Sequence, residues 1–202
     1  MKRFGPLLSA LAVASALVSA PAWADRPPAG PRQATQVQYH VENAQSMMPA
    51  DFTVLFAPGG RKARVSFAGQ VGYLLLDMNQ NRVTMVMDQP KISMNIPTPA
   101  LLAPYFNWRE TLDFTRGGVE RDGGRVCQIW DTTTPKGRAE LCVTSDGLPL
   151  RVHAVGRDGT RSDVIAQAVQ PGPSDQAVFE VPPDHPNLGN SGFSPFGGSG
   201  EH

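Results

Sequence analysis

Apolar and polar residues alternate in short runs through most of this chain. Val37, Tyr39 and Val41 interleave with Gln36, Gln38 and His40, and Phe52, Val54 and Phe56 follow. Ala63, Val65 and Phe67 alternate with Lys62, Arg64 and Ser66. A period of two puts one apolar face on an extended strand. The runs continue as "VGYLLLD", "NRVTMVMD", "KISMNI", "ETLDFT", "RVCQIWD", "RAELCVT", "LPLRVHAV" and "RSDVIAQAV". Turn residues separate them, among them Pro58–Arg61, Asn79–Asn81, Gln89-Pro90, Gly123-Gly124, Pro135–Gly137 and Asp158-Gly159. One helix interrupts the series, predicted over Thr98 to Trp108 with Thr98 as N-cap and Pro99 in the first turn. Pro104 keeps it short.

About ten strands with one apolar face each must bury that face, and one short helix cannot cover them all. The sheet is therefore expected to curl on itself. The predicted fold is mainly β: a curved antiparallel sheet forming a half-open barrel, with one or two short helices as a lid.

The ends lack the alternation. The start has Lys2 and Arg3, an apolar run from Leu7 to Ala20, and Ala22-Trp23-Ala24 before Asp25, the pattern of a secretory signal peptide. The apolar run is too short, and too interrupted by serines, for a spanning helix. Expected boundaries are a signal peptide over 1–24, a flexible Pro-rich lead-in over 25–35, one half-barrel domain over 36–186 and a disordered Gly/Ser-rich tail over 187–202. Cleavage after Ala24 would leave 178 of the 202 residues, enough for one domain with a core, located in the periplasm. Losing Lys2 and Arg3 takes the 18 basic side chains to 16, against 18 acidic ones. Neither nucleic acid nor an anionic membrane surface is indicated as the main partner.

Compartment decides how the only two cysteines read. Cys127 and Cys142 could form a metal site, a redox pair or a staple. They lack the C-x-x-C spacing of a redox motif, and His40, His153, His185 and His202 show no metal-ligand spacing. In an oxidising compartment a structural disulfide is expected, joining two arms of a hairpin. Two registers are open. A six-residue loop from Thr132 to Gly137 would put Cys127 opposite Cys142; a tight turn at Thr134–Gly137 would put Cys127 opposite Thr144. Disulfide geometry favours the first, or a bulge. Either way Trp130, Leu141 and Val143 take the other face. That face is the more apolar, so the disulfide is expected on the outer, polar side.

No catalytic fingerprint is present: G-x-S-x-G, H-E-x-x-H, the P-loop and the dinucleotide motif are all missing. The protein is read as a non-enzyme with no cofactor. "FAPGGRKAR" reads as a hairpin turn, and His153 as a strand residue on a polar face. Met85 and Met87 share one face, and a turn over Asp88 to Lys91 would set Met85 opposite Met94. Thioethers could bind Cu(I), but Val83, Ile92 and Ile96 share the stripe, which suits an adaptable apolar lining better. The expected cavity lining is Phe67, Tyr73, Leu75, Met85, Met87, Met94, Leu102 and Trp130.

The hairpin motif Gly124-x-x-Cys127 followed by Trp130, the strand Gly147-Leu148-Pro149-Leu150-Arg151 and the terminal Phe179-x-x-Pro182-Pro183 resemble a family of exported bacterial proteins known only as a domain of unknown function. The likeness covers about Val37 to Asp184. The strand–strand–helix order and Phe-x-x-Pro-Pro also resemble the LolA/LolB-like superfamily of periplasmic lipoprotein carriers. That resemblance implies a half-open barrel with a helical lid over an apolar cavity that receives acyl chains. The expected function is then a soluble periplasmic binding or carrier-like protein holding an acyl chain, from a lipid or lipoprotein, or another apolar ligand. An envelope protein–protein interaction or sensing module with a filled core is the alternative.

Overall fold

The structure, a computed structural model, describes residues 26–42, 49–97 and 112–190. Among these residues twelve strands form one open sheet. They are β1 (Thr35–Glu42), β2 (Asp51–Phe56), β3 (Lys62–Phe67), β4 (Tyr73–Asp77), β5 (Arg82–Asp88), β6 (Lys91–Ile96), β7 (Phe114–Asp122), β8 (Arg125–Thr134), β9 (Gly137–Thr144), β10 (Pro149–Gly156), β11 (Arg161–Pro171) and β12 (Asn187–Asn190). Their spatial order is β12-β6-β5-β4-β3-β2-β1-β11-β10-β9-β8-β7. Every neighbouring pair is antiparallel except β12 with β6. The expected helix at Thr98–Trp108 and the expected signal peptide lie outside the described residues. Among the described residues the only helical pieces are short 3-10 turns at Pro58–Gly60 and Gln176–Phe179, and no helix is long and apolar enough to cross a membrane.

Alternation is realised as cross-strand rows. Val169, Val37, Val54, Val65, Leu74, Met85 and Met94 face one another directly across β11, β1, β2, β3, β4, β5 and β6. A parallel row runs Phe56, Ala63, Leu76, Val83 and Ile96. These residues make the largest packed cluster.

The sheet curls, and one short segment shows where. The turn between β2 and β3 contains Gly60; the turn between β9 and β10 contains Gly147. Three strand spacings separate β2 from β10, about 14 Å in a flat sheet. Yet both turns meet Gly30: a Cβ on Gly147 would lie 2.7 Å from Gly30 Cα, and a Cβ on Gly30 would lie 2.5 Å from Gly60 Cα. Gly59 N–H donates to the Pro31 carbonyl (2.7 Å), and Pro27 and Pro31 are fully buried. The lead-in, expected to be flexible, is instead a plug across one end of the curl. Its prolines start from a low-entropy chain, and its glycine permits the close approach. On the same side, Tyr39 in β1 reaches past β11 to donate from its hydroxyl to the Pro149 carbonyl (2.7 Å).

After β11 the chain crosses back over β2 to β6. Phe179 packs on Leu55 and Ala57, and Val181 on Tyr73, Leu75 and Val86. Asp175 caps the 3-10 turn by accepting from Ala177 N–H (2.9 Å). His185 is buried, with Nδ1 2.8 Å from Asp184 Oδ1 and Nε2 3.6 Å from Asp88 Oδ1. Ser93 donates from its N–H to Pro186 O and from its hydroxyl to His185 O. The Phe-x-x-Pro-Pro segment is thus an outer strap. Asn187, where the tail was expected to begin, starts β12 on the edge of β6; residues 191–202 lie outside the described ones.

An exposed ion pair fastens the strap's end: Lys91 Nζ lies 2.5 Å from Asp184 Oδ2. The hydrogen bond from Lys91, with a second from His185, lowers the Asp184 pKa to about 2. A carboxyl depressed in the folded state adds stability above its unfolded pKa and loses it as pH falls through the folded one. Hydrogen-exchange protection across Val178–His185, taken relative to the intrinsic rate at each pH, should therefore fall between about pH 4 and pH 2. Asp184→Asn should show the lower protection already at neutral pH, with no further step in that window. A step of equal size in both proteins would refute the assignment.

Candidate functional site

Exposure on the apolar rows follows a gradient. Next to the plugged end, Ala63, Leu76, Val83 and Ile96 are buried and Phe56 is half-buried. One row further on, Val37, Val54, Val65 and Leu74 are buried, but Met85 and Met94 are only partly so. At the far end Tyr39 is buried, whereas Phe52, Phe67, Met87 and Ile92 are half-buried. Tyr39 stacks on Phe52 (centroids 5.4 Å apart), and Phe52 lies 6.3 Å from Phe67, so an aromatic row leads into the methionines. Flexible, polarisable thioethers at that position can follow the shape of an apolar guest.

The residues expected to line one cavity fall into three groups. Phe67, Met85, Met87 and Met94 share a face, with Met85 directly opposite Met94 and Met87 opposite Ile92, as the turn at Asp88 to Lys91 predicts. Tyr73 and Leu75 do not join them. They alternate with Leu74 and Leu76 along β4 and project from its other face, where Val181 of the strap covers them. The Arg64 guanidinium lies 3.5 Å from the Tyr73 ring centroid, and burial, opposed by that cation, raises the tyrosine pKa. A four-residue apolar run, "YLLL", is apolar on both faces, so its parity alone does not say which half lines a cavity. Trp130 belongs to a separate cluster with Leu141, Val143, Phe114 and Val152. Phe114 meets it edge-on at 6.4 Å, and its indole N–H is buried without a hydrogen-bond partner. Leu102 lies outside the described residues.

The hairpin corrects two expectations. The disulfide between Cys127 and Cys142 is present, with Cα atoms 5.3 Å apart. The register, however, is the tight one: Thr134 pairs with Gly137, Cys127 with Thr144, and Ile129 with Cys142. The bridge therefore joins diagonal neighbours, which strand twist brings together. Thr134 fixes the turn, its hydroxyl donating to Gly137 O (3.1 Å) and accepting from Lys136 N–H (3.2 Å). Gly137 is required, because a Cβ there would collide with Val155 O. The disulfide is also not on a solvated side: each cysteine is 1% exposed and packs in the largest cluster with Ile129, Leu148 and Leu150. Around the bridge both faces of the hairpin are covered, since Trp130, Leu141 and Val143 are buried on the other side. The signal was present in "GLPL", whose two leucines supply a second apolar set next to the cysteines.

Further from the plug, the face that carries the cysteines becomes polar. Arg151 holds Glu120 (2.8 Å), Asp122 (3.3 Å) and Glu140 (3.5 Å), and Glu120 contributes most to raising the arginine's pKa. His153, expected to be a simple exposed strand residue, has Nδ1 2.5 Å from Asp163 Oδ1. A cleft of about 690 Å³ opens beside them, with Asp131, Arg138, Glu140 and His153 in its wall. Sequence alternation marks these positions as polar but does not bring them together; the strand order does. Among the described residues no three His, Cys, Asp or Glu side chains are grouped to hold a metal ion.

No family model matches the chain, and no curated protein matches its sequence. Solved structures do share its fold. An uncharacterized conserved protein from Thermus thermophilus matches with TM-score 0.53 at 13% identity, over 78% of this chain and 91% of that one. PNGF-II matches with TM-score 0.50 at 12% identity, over 79% of this chain, which spans only 32% of PNGF-II. Similar structures also include a putative outer membrane lipoprotein-sorting protein domain from Vibrio parahaemolyticus, with TM-score 0.39 at 10% identity, over 73% of this chain and 89% of that one. The likenesses to the Thermus thermophilus protein and to PNGF-II concern the fold alone.

Proposed function

We propose that this is an exported, non-enzymatic binding or carrier-like protein that holds an acyl chain or another apolar ligand against the inner rows of β1 to β6. The observation that carries this reading is the exposure gradient. A sheet sealed at one end by Gly30 leaves Phe52, Phe67, Met85, Met87 and Met94 half-buried toward the other. Covering apolar surface of this kind gains roughly 25 cal/mol per Å², and a linear chain entering from the open end would cover several of these side chains in turn. The disulfide and the signal-like N-terminus support export to an oxidising compartment, the periplasm.

Organic extraction of natively purified protein, followed by mass spectrometry, should release a lipid or fatty acid, and the stripped protein should bind a fluorescent fatty acid. Met94→Asp places a carboxylate against the ligand and should weaken that binding about tenfold or more. Val71→Asp, at a position already 58% exposed, should leave it unchanged. A ligand-free extract together with no fatty-acid binding would overturn the proposal in favour of a filled-core module that recruits an envelope protein.

A further inference from the structure

Among the described residues β7 ends the sheet, and it is an unusual edge. From Thr115 to Arg121 every residue is exposed. This stretch therefore has no core on either side; among the described strands it pairs with β8 alone, and Arg151 of β10 ties the strand's carboxylates by ion pairs. An edge strand presents unpaired backbone N–H and C=O groups to any other strand, and natural edges are usually kept short or blunted. This one runs nine residues. Its irregularity between Arg116 and Val119 is satisfied from within: Gln128 Nε2 donates to the carbonyls of Gly117 and Gly118, each at 2.8 Å. Beyond it, Val119 to Asp122 form regular ladder.

The two faces of the arm differ in charge. Arg116 pairs with Trp130, Val119 with Gln128 and Arg121 with Val126, so Arg116, Val119, Arg121 and Val126 share one face. Val119 is 65% and Val126 51% exposed, on neighbouring strands. The carboxylates of this arm, Glu120 and Asp122, project from the other face and are held there by Arg151. The valine face is thus apolar and cationic, with no carboxylate from β7. Arg116 Nε donates to Gln128 Oε1 and Arg121 to Gly124 O, which fixes both guanidinium groups on the arm.

We propose that the β7 edge docks an extended segment of a partner protein in which acidic and apolar side chains alternate, added as a further strand with its acidic groups over Arg116 and Arg121. Main-chain pairing supplies the affinity and the arginines select the charge. A second copy of this chain fits less well, since pairing β7 with itself brings the same two cationic residues together on one face. An anionic membrane also fits less well. Two arginines are a small charge for that task, and a lipid surface gives nothing to the open backbone edge. This surface is separate from the inner rows, so the inference does not rest on the proposed lipid ligand.

The test uses the full mature chain and two fluorescent peptides long enough to span the strand, one of alternating Val and Glu and one of alternating Val and Lys. The Val/Glu peptide should bind, more weakly as salt is raised, and should slow hydrogen exchange at the Val119–Asp122 amides. Arg116→Glu combined with Arg121→Glu should lose about tenfold or more of that affinity, with the near-ultraviolet circular dichroism unchanged. Val119→Pro, which deletes an edge N–H without altering charge, should also weaken it. Equal binding of both peptides, binding without protection of β7, or adsorption to anionic phospholipid vesicles with no peptide binding would each overturn the proposal.

Discussion

Replacing Cys127 and Cys142 together by alanine is expected to lower the free energy of unfolding by about 3 kcal/mol, the loop-entropy value for a closure of this length. The bridge spans 15 positions. It also occupies the packed cluster with Ile129, Leu148 and Leu150, so the lost sulfur contacts add to the entropy term. Urea titration of the oxidised wild type and the double variant reads the difference directly. Because each cysteine is only 1% exposed, a thiol reductant should not open the bridge in the native protein and should do so readily in denaturant. Rapid reduction under native conditions, or a double variant as stable as wild type, would show that the cystine is not a part of the core.

The second large effect is expected at Gly147. Its φ is +89°, and a Cβ there would collide with Gly30 N and lie 2.7 Å from Gly30 Cα. Gly147→Ala must therefore displace backbone at the plug itself and should cost about 3 kcal/mol. Gly159 supplies the control. It has nearly the same φ, +82°, and a methyl group added there would find nothing within 4 Å. Gly159→Ala should cost only the left-handed backbone term, about 1 kcal/mol. The difference between the two measures what the lead-in contributes by closing the curl. Equal costs would mean that Gly30 does not bear on the turn.

Most of the strands were legible because a period of two survives in the chain wherever one side of a strand is dry. β1, β2, β3 and β5 announce themselves this way, and so does the facing of Met85 and Met94 across a short turn. The edges were not legible. "ETLDFT" places a strand over Glu110–Thr115, whereas β7 runs Phe114–Asp122. Gly117-Gly118 lies inside β7, where Gln128 from the next strand satisfies both carbonyls. The lead-in and the strap were missed for the same reason: neither has periodicity, and both are ordered by what they lie against.

The candidate site divides along this line. Alternation by itself determined that the protein is a one-sheet β structure, that Met85, Met87 and Met94 share a face, and that the cysteines share the opposite side of their hairpin from Trp130. It could not determine which of two apolar sides of β4 turns inward, because a strand covered on both faces carries no contrast. Only the tertiary structure decided that Tyr73 and Leu75 lie beneath a strap, that the cystine is buried, and that Gly30 closes one end. Those outcomes depend on contacts between segments far apart in the chain, and a local pattern records the burial of a side chain but not what buries it.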